Sequence, residues 1–286
     1  MDLTVLEIVY RLIAGVGIGF VIGLTGVGGG VLVMPALTIL FKFETTMAVG
    51  TASMYACLTK IYAGFEHFRL KNIDFSVSNL FLFGAIPGNI VTIFAILWYK
   101  QVAEPNAVTT FQSNLKVFIA VIMLISAAMM IYNLLQKKKA KSNDVADSAE
   151  KKHNILLGVT CGLIIGSLIG ATSVGGGVLV VPMLVIFFGL TTNRTVGSSI
   201  YIALVLVGVS TILYSFGPSL VANFCEGTAK VAAGKQVEYA TAIIMAVGSL
   251  LGVFFGSRLS VKMPEKPLTI FVIILILVSA VAMLAK

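Results

Sequence analysis

Long apolar runs separated by short polar stretches make up most of the chain. Five runs precede a lysine-rich stretch and five follow it. They lie near residues 4–25, 31–41, 46–64, 76–98 and 115–135 in the first half, and near 155–172, 178–190, 196–216, 239–257 and 267–285 in the second. Because a membrane-spanning helix needs about 20 apolar residues, this pattern predicts an all-α integral membrane protein with about 8–10 transmembrane segments.

The composition supports the membrane assignment. Hydrophobic residues make up 58% of the chain and charged residues 11%, whereas soluble domains carry about 25% charged residues. The first apolar run is preceded by Asp2 and contains Glu7, where a signal peptide has a basic start. We therefore expect this run to be a membrane span and not a cleaved leader.

The two halves of the chain repeat one sequence unit. Residues 24–50 and 171–197 align without a gap, and 15 of the 27 aligned positions are identical. In each copy, three glycines interrupt the apolar sequence, and Pro35 or Pro182 follows. The runs that begin there are too short to span a bilayer. We expect each to be part of a broken or tilted helix whose glycine end lies inside the bilayer against protein.

Glycines four residues apart recur in both halves. Small residues at this spacing let helix backbones approach closely, so we expect them to pack helices and not to bind a ligand. The series are Gly15, Gly19 and Gly23, matched by Gly162, Gly166 and Gly170, and Gly84 and Gly88, matched by Gly248 and Gly252, with Gly256 extending the last. An insertion near Ser215–Glu238, which contains Pro218, predicts an extramembrane loop.

These features divide the chain into a first transmembrane repeat (1–135), a basic linker (136–154) and a second transmembrane repeat (155–286). Five segments in each half, an odd number, predict two inverted repeats. Since cytoplasmic loops are rich in Lys and Arg, we expect the linker on the cytoplasmic side of the inner membrane and both termini on its outer side. If the short segments re-enter and do not cross, the count falls and the orientation of one half can change.

The interrupted helices are suited to binding an anion. A helix that starts inside the bilayer presents unpaired backbone N–H groups and the positive end of its dipole, and glycine lets an oxyanion approach the backbone. Hydroxyl and amide side chains near both starts add neutral hydrogen-bond donors, and Arg194 adds one charge. The predicted substrate-binding residues are Thr25, Gly28, Gly29, Gly30 and Thr51 in the first half, and Thr172, Ser173, Gly175, Gly176, Gly177, Asn193, Arg194 and Ser198 in the second.

Other kinds of site find no support in the sequence. None of the acids lies at the middle of a predicted span, which disfavours a metal-ion permease. The glycine motif lacks the acid of a dinucleotide fingerprint and the Gly-Lys-Ser/Thr of a P-loop. No catalytic set, metal ligands or cofactor is predicted. Because six lysines of the linker contribute much of the net charge of +8, this charge indicates no nucleic-acid partner.

The duplicated motif resembles the sulfite exporter TauE/SafE family. The resemblance rests on Gly26–Gly30 with Pro35 and on Ser173–Gly177 with Pro182. It also rests on Val-Gly-Thr at 49–51, Val-Gly-Ser at 196–198, and the glycine series that ends in Ser-Arg-Leu at 257–259. It covers nearly the whole chain and implies a multi-span secondary carrier for sulfite, organosulfonates or related small sulfur oxyanions. Ser173 stands where the first copy has Gly26, so the two half-sites are not equivalent.

We therefore expect a secondary transporter, with export as the expected direction. Substrate would sit near the midplane between the broken helices, and one repeat would rock against the other. The expected partners are the substrate anion, the lipid bilayer and a coupling proton or sodium ion, and the sequence is compatible with a homodimer. The alternatives are a carrier of another small anion or an amino acid, and a non-transporting membrane scaffold subunit.

Overall fold

The fold is all-α over the part of the chain that the structure describes. A computed structural model describes residues 4–25, 30–69, 71–137, 155–174, 179–190, 192–224, 235–260 and 265–285. The helices are α1 (Val5–Thr25), α2 (Gly30–Pro35), α3 (Thr45–Arg69), α4 (Phe75–Val102), α5 (Pro105–Lys137), α6 (Ile155–Thr172), α7 (Val180–Phe188), α8 (Thr192–Phe224), α9 (Tyr239–Ser260) and α10 (Glu265–Leu284). A π-helical turn, Ala36–Leu40, continues α2.

The lengths of the helices match the predicted division into long and short segments. Among the described residues, six helices are long and apolar enough to cross a membrane. Helix α3 has 25 residues but is less apolar, since it carries Lys60 and ends with His67 and Arg69. The chain is therefore a multi-pass membrane protein.

The two short segments stay short. Helix α2 and its π-helical turn together rise about 16 Å and α7 about 14 Å, whereas the hydrocarbon core is about 30 Å thick. Pro35 lies at the change from α-helix to π-helix. A proline lacks the N–H that continues the α-helical ladder, which explains why the hydrogen-bonding pattern changes there.

One predicted boundary was wrong. The insertion at Ser215–Glu238 was expected to be a loop, but α8 continues to Phe224 with Pro218 inside it. The Gln101 side chain of α4 donates a hydrogen bond of 2.7 Å to the Pro218 carbonyl oxygen, so α4 supports the helix where proline weakens it. Residues 225–234 lie outside the described part, as do residues 138–154 of the linker.

The glycine series bring α1 and α9 into backbone contact. A Cβ atom at Gly19 would collide with the Ser249 backbone, and one at Gly252 would collide with the Val16 carbonyl oxygen. The contact is therefore reciprocal: each helix supplies glycines that receive the backbone of the other. This confirms that these glycines pack helices. The participating glycines are Gly15, Gly19 and Gly23 of α1 and Gly248, Gly252 and Gly256 of α9.

Helices α4 and α6 repeat this contact with the halves exchanged. A Cβ at Gly84 would meet the Val159 carbonyl oxygen, and one at Gly166 would meet the Ala85 backbone. The first helix of each half thus packs along the fourth helix of the other half. The two halves interleave and are not two separate lobes.

Matched hydrogen bonds strengthen the interleaving. The backbone N–H of Glu238, just before α9, donates to Thr51 Oγ1 of α3 over 3.0 Å. The backbone N–H of Asp74, just before α4, donates to Ser198 Oγ of α8 over 2.9 Å. Thr51 aligns with Ser198 in the repeat, so each third helix is tied to the start of the other half's fourth helix.

These contacts group six helices into two bodies. Helix α9 contacts both α1 and α3 in one body, and α4, α6 and α8 contact one another in the other. The two bodies meet where α3 packs along α8. We call this contact the α3–α8 seam. Helices α5 and α10 pack on each other.

We predict that Gly19→Ala lowers stability while Gly17→Ala does not. At Gly19 the added methyl group meets backbone that no rotamer change can move, which should cost about 1–3 kcal/mol. At Gly17 there is nothing within 4 Å of the new Cβ, and alanine favours helix by about 1 kcal/mol. Thermal unfolding of both variants in detergent measures the difference, and equal melting temperatures would contradict the interlock.

Candidate functional site

The two copies of the glycine motif meet inside the molecule. Gly30, the first residue of α2, packs against the carbonyl oxygen of Ser173, which follows α6, so closely that a Cβ would collide with it. Ser173 is only 4% exposed. We call the contact between Gly30, Ser53 and Ser173 the junction. At the junction, the start of α2, which follows the first glycine motif, meets the end of α6, which precedes the second glycine motif.

Ser173 reaches the junction through an unusual backbone conformation. Its φ is 53°, in the left-handed region that favours glycine, and the first copy has Gly26 at this position. A non-glycine residue there costs about 1–2 kcal/mol. This conformation places Ser173 Oγ 3.0 Å from Ser53 Oγ of α3. Ser53 Oγ also lies 2.9 Å from the Val49 carbonyl oxygen. Such strain is typical of functional sites.

The hydroxyl group of Thr172 is used by its own chain. Its Oγ1 donates to the Leu168 carbonyl oxygen over 2.7 Å and accepts from the Val174 backbone N–H over 3.1 Å. The side chain therefore closes the end of α6 and sets the direction of the chain into Ser173. Its role in this structure is to shape the junction.

Two other predicted hydroxyls also have structural partners. Thr51 and Ser198 are buried, and each accepts the backbone N–H that precedes a fourth helix. They hold each body together, one in each half. This position favours a structural role for both.

Arg194 lies at the surface, in contrast to the buried junction. Its side chain is 62% exposed, and its Nη1 atom lies 3.6 Å from Asp74 Oδ2. Asp74 also caps α4 through a hydrogen bond from the Val77 backbone N–H. Arg194 thus pairs with the start of α4, and the structure gives it no hydrogen bond to the described junction residues.

Several predicted residues lie outside what the structure describes. Thr25 ends α1 and Asn193 lies in the first turn of α8, but their side chains are not described. The remaining glycines of both motifs fall outside the described residues: Gly28, Gly29, Gly175, Gly176 and Gly177.

A buried polar group that the sequence analysis missed lies along the last turns of α6. Asn89 of α4 donates to Ser210 Oγ of α8 over 3.0 Å, and Tyr214 Oη donates to the Gly170 carbonyl oxygen over 2.9 Å. All three side chains are fully buried. An Asn at the middle of a 28-residue apolar helix was the available signal, because polar side chains in spans hydrogen-bond between helices.

Arg11 is a second residue that the sequence analysis missed. It lies in the first half of α1 and is only 6% exposed. It occupies the position that aligns with Gly158 in the second half. An arginine within an apolar span, at a place where the other repeat has glycine, was the available signal.

The described junction offers neutral hydrogen-bond donors and acceptors. Hydroxyl groups can bind an oxyanion without adding a fixed charge, and hydrogen bonds to a charged group contribute about 1.5–3 kcal/mol each. Gly30 and Ser173 are in van der Waals contact, so an ion between them requires α2 and the end of α6 to separate. The junction is therefore suited to a group that binds when helices move apart.

Comparison with known proteins gives a consistent result. The family model described as "Sulfite exporter TauE/SafE" matches residues 11–283. "Probable membrane transporter protein YjnA" of Bacillus subtilis (strain 168) is 27% identical over 276 residues, which cover 96% of this chain and 98% of the relative. "Probable membrane transporter protein YunE" of the same organism is 22% identical over 283 residues, 96% of each chain. No solved structure matches the chain.

We predict that Ser173→Gly is more stable than Ser173→Ala. Both variants lose the hydroxyl group, but only glycine relieves the left-handed backbone, which should give a difference of about 1 kcal/mol. Ser167 lies within α6, where alanine is favoured over glycine by a similar amount. The order of the Gly and Ala variants should therefore reverse at Ser167. Unfolding in detergent measures both pairs, and the same order at both positions would contradict the strain at Ser173.

Proposed function

The chain belongs to the sulfite exporter TauE/SafE family, and on that premise we propose that it is a secondary transporter that exports sulfite, organosulfonates or related small sulfur anions across the inner membrane. The observation that carries the proposal is the junction, where Gly30 of one motif copy meets Ser173 of the other. Secondary transporters place their substrates between repeats, at interrupted helices. No catalytic role is assigned to any residue.

The substrate would bind where the two bodies meet. Ser53 belongs to α3 and Ser173 follows α6, so their hydrogen bond crosses from one body to the other. An anion that inserts between these hydroxyls would replace this bond with two hydrogen bonds to itself. The glycines next to Gly30 and Val174 in the sequence are the proposed source of backbone N–H donors.

Alternating access would come from movement at the α3–α8 seam. Rocking of one sequence half against the other would separate the reciprocal glycine contacts of α1 with α9 and of α4 with α6. Movement of the two bodies leaves these contacts intact. We therefore replace the expected motion of repeats with a motion of these interleaved bodies.

The remaining features of the proposal follow from charge. The lysine-rich linker would lie in the cytoplasm and both termini outside, since basic residues are retained on the cytoplasmic side. Coupling would use a proton carried by the substrate, or a proton or sodium ion held by the protein. A homodimer is compatible with this arrangement, and no nucleic acid is involved.

We predict that Ser53→Ala and Ser173→Gly each reduce sulfite flux about tenfold or more. The reason is that each removes one hydrogen bond to a charged substrate, worth about 1.5–3 kcal/mol. Uptake of radiolabelled sulfite by proteoliposomes measures the flux, and uptake of radiolabelled ethanesulfonate, acetate and glycine is measured in the same way. Thr160→Ala serves as the control, because Thr160 is an exposed α6 hydroxyl that bonds to its own helix.

Three results would count against parts of this proposal. Normal flux in both junction variants would remove the junction from the transport path. Flux of acetate or glycine without sulfite flux would favour a carrier of carboxylates or amino acids. No flux of any of these solutes would favour a scaffold role.

We predict that a disulfide across the α3–α8 seam stops transport reversibly. A Cβ at Gly64 of α3 would lie 3.1 Å from Leu204 Cδ2 of α8, so Gly64→Cys with Leu204→Cys places two thiols near each other, away from the junction. In a background without native cysteines, oxidation should lower sulfite flux at least tenfold and reduction should restore it. The single-cysteine variants are the controls. Full flux in the cross-linked protein would show that the seam does not move.

A further inference from the structure

A cavity of about 570 Å³ lies beside the first turns of α1. Its lining combines charged and apolar groups, and none of its residues belongs to the junction. The lining includes Glu7, Tyr10, Arg11, Phe41, Met47 and Glu238. The volume is within the range of small-molecule sites, about 300–1,000 Å³.

The guanidinium group of Arg11 forms no ion pair with any residue that the structure describes. Its Nε and Nη1 atoms are buried without a hydrogen-bond partner among the described residues. The ring centre of Phe41 lies 5.8 Å from Arg11 Cζ, which supplies a weak cation–π contact. A buried charge without a partner is costly, so this position favours a ligand that brings an oxyanion.

The two halves differ at this place in the fold. Gly158 aligns with Arg11 and Phe188 with Phe41. A Cβ on Gly158 would lie 3.3 Å from the Phe188 ring, so the second half packs this space with an aromatic ring. In the first half the arginine and the cavity occupy the corresponding place.

Two carboxylates, those of Glu7 and Glu238, line the same cavity. Glu238 precedes α9 as Asp74 precedes α4, but Asp74 pairs with Arg194, and the residue that aligns with Arg194 is Met47. Glu7 lies one helical turn before Arg11. Within the described part of the chain, neither Glu7 nor Glu238 forms an ion pair with Arg11. The cavity therefore holds one cationic group and two carboxylates.

We propose that this cavity binds a small zwitterion, with its oxyanion on Arg11 and its primary ammonium between Glu7 and Glu238. A simple anion would meet Arg11 but leave two carboxylates facing it, and a simple cation would leave the guanidinium unpaired. The aromatic residues Tyr10 and Phe41 also line the cavity. The same chemistry is present in a free amino-sulfonate or amino acid and in the headgroup of phosphatidylethanolamine.

The probe is 3-aminopropanesulfonate, titrated calorimetrically into the full-length protein in phosphatidylcholine nanodiscs. Propanesulfonate and propylammonium each lack one of the two charges, and both should bind at least about tenfold more weakly. Nanodiscs with phosphatidylethanolamine distinguish the two sources. Weaker binding of the probe in them identifies the lipid headgroup as the occupant, whereas unchanged binding identifies a free zwitterion.

Two variants test the position of the site. Arg11→Met removes the guanidinium group. Met47→Trp fills the cavity and leaves the guanidinium group in place. Each should weaken binding of the probe about tenfold or more. The matched control is Arg258→Met, since Arg258 also lies over a phenylalanine ring, at 3.9 Å from Phe254, but is exposed.

Size-exclusion chromatography shows which variants fold, and a folded Met47→Trp decides the question if Arg11→Met fails to fold. Wild-type binding in either folded variant, or equal binding of propanesulfonate and the zwitterion, would overturn the proposal. Sulfite flux is measured on the same variants. If the junction variants lose flux but Arg11→Met binds the probe as the wild type does, this inference is wrong and the transport function still stands.

Discussion

The structure depends on backbone contact between glycine-bearing helices of opposite halves. Lipid provides no hydrophobic drive that would hold helices together, so close van der Waals contact contributes much of their association. The contacts of α1 with α9 and of α4 with α6 are reciprocal, because both partners supply glycine. A side chain at Gly19 or Gly252 would hold the backbones apart. This constraint decides which helices form one body, and it leaves the α3–α8 seam as the contact between the two bodies.

The repeat conserves this scaffold but changes its chemistry. The glycine contacts and the hydrogen bonds of Thr51 and Ser198 occur in matched pairs. Two polar residues align with glycines of the other half: Ser173 with Gly26, and Arg11 with Gly158. A symmetric scaffold lets α2 and the end of α6 meet. Ser173 then makes this meeting point polar, and Arg11 makes the cavity near α1 polar.

The sequence was sufficient to locate the helices and the packing glycines, because hydrophobic periodicity and small-residue spacing are local properties. It could not identify the partner of each glycine series, since spacing shows that a helix is approached closely but not by which helix. The same limit applies to Thr172. From the sequence, its hydroxyl could bind substrate or its own backbone, and only the structure shows its hydrogen bonds with Leu168 and Val174. Pro218 suggested a loop because a proline weakens a helix locally, and the supporting contact with Gln101 is 117 residues away along the chain.

Neutral binding groups at the junction fit a carrier better than charged ones would. A buried guanidinium group would bind an anion tightly and, once emptied, would remain as an unpaired charge in low dielectric. Under the proposed function, an anion that left Ser53 and Ser173 would allow the two hydroxyls to bond to each other again, as they do over 3.0 Å in this structure. The empty junction therefore carries no unpaired charge, and Gly30 can close against Ser173. In the proposed export cycle, a reversible contact of this kind would let the two bodies return without substrate.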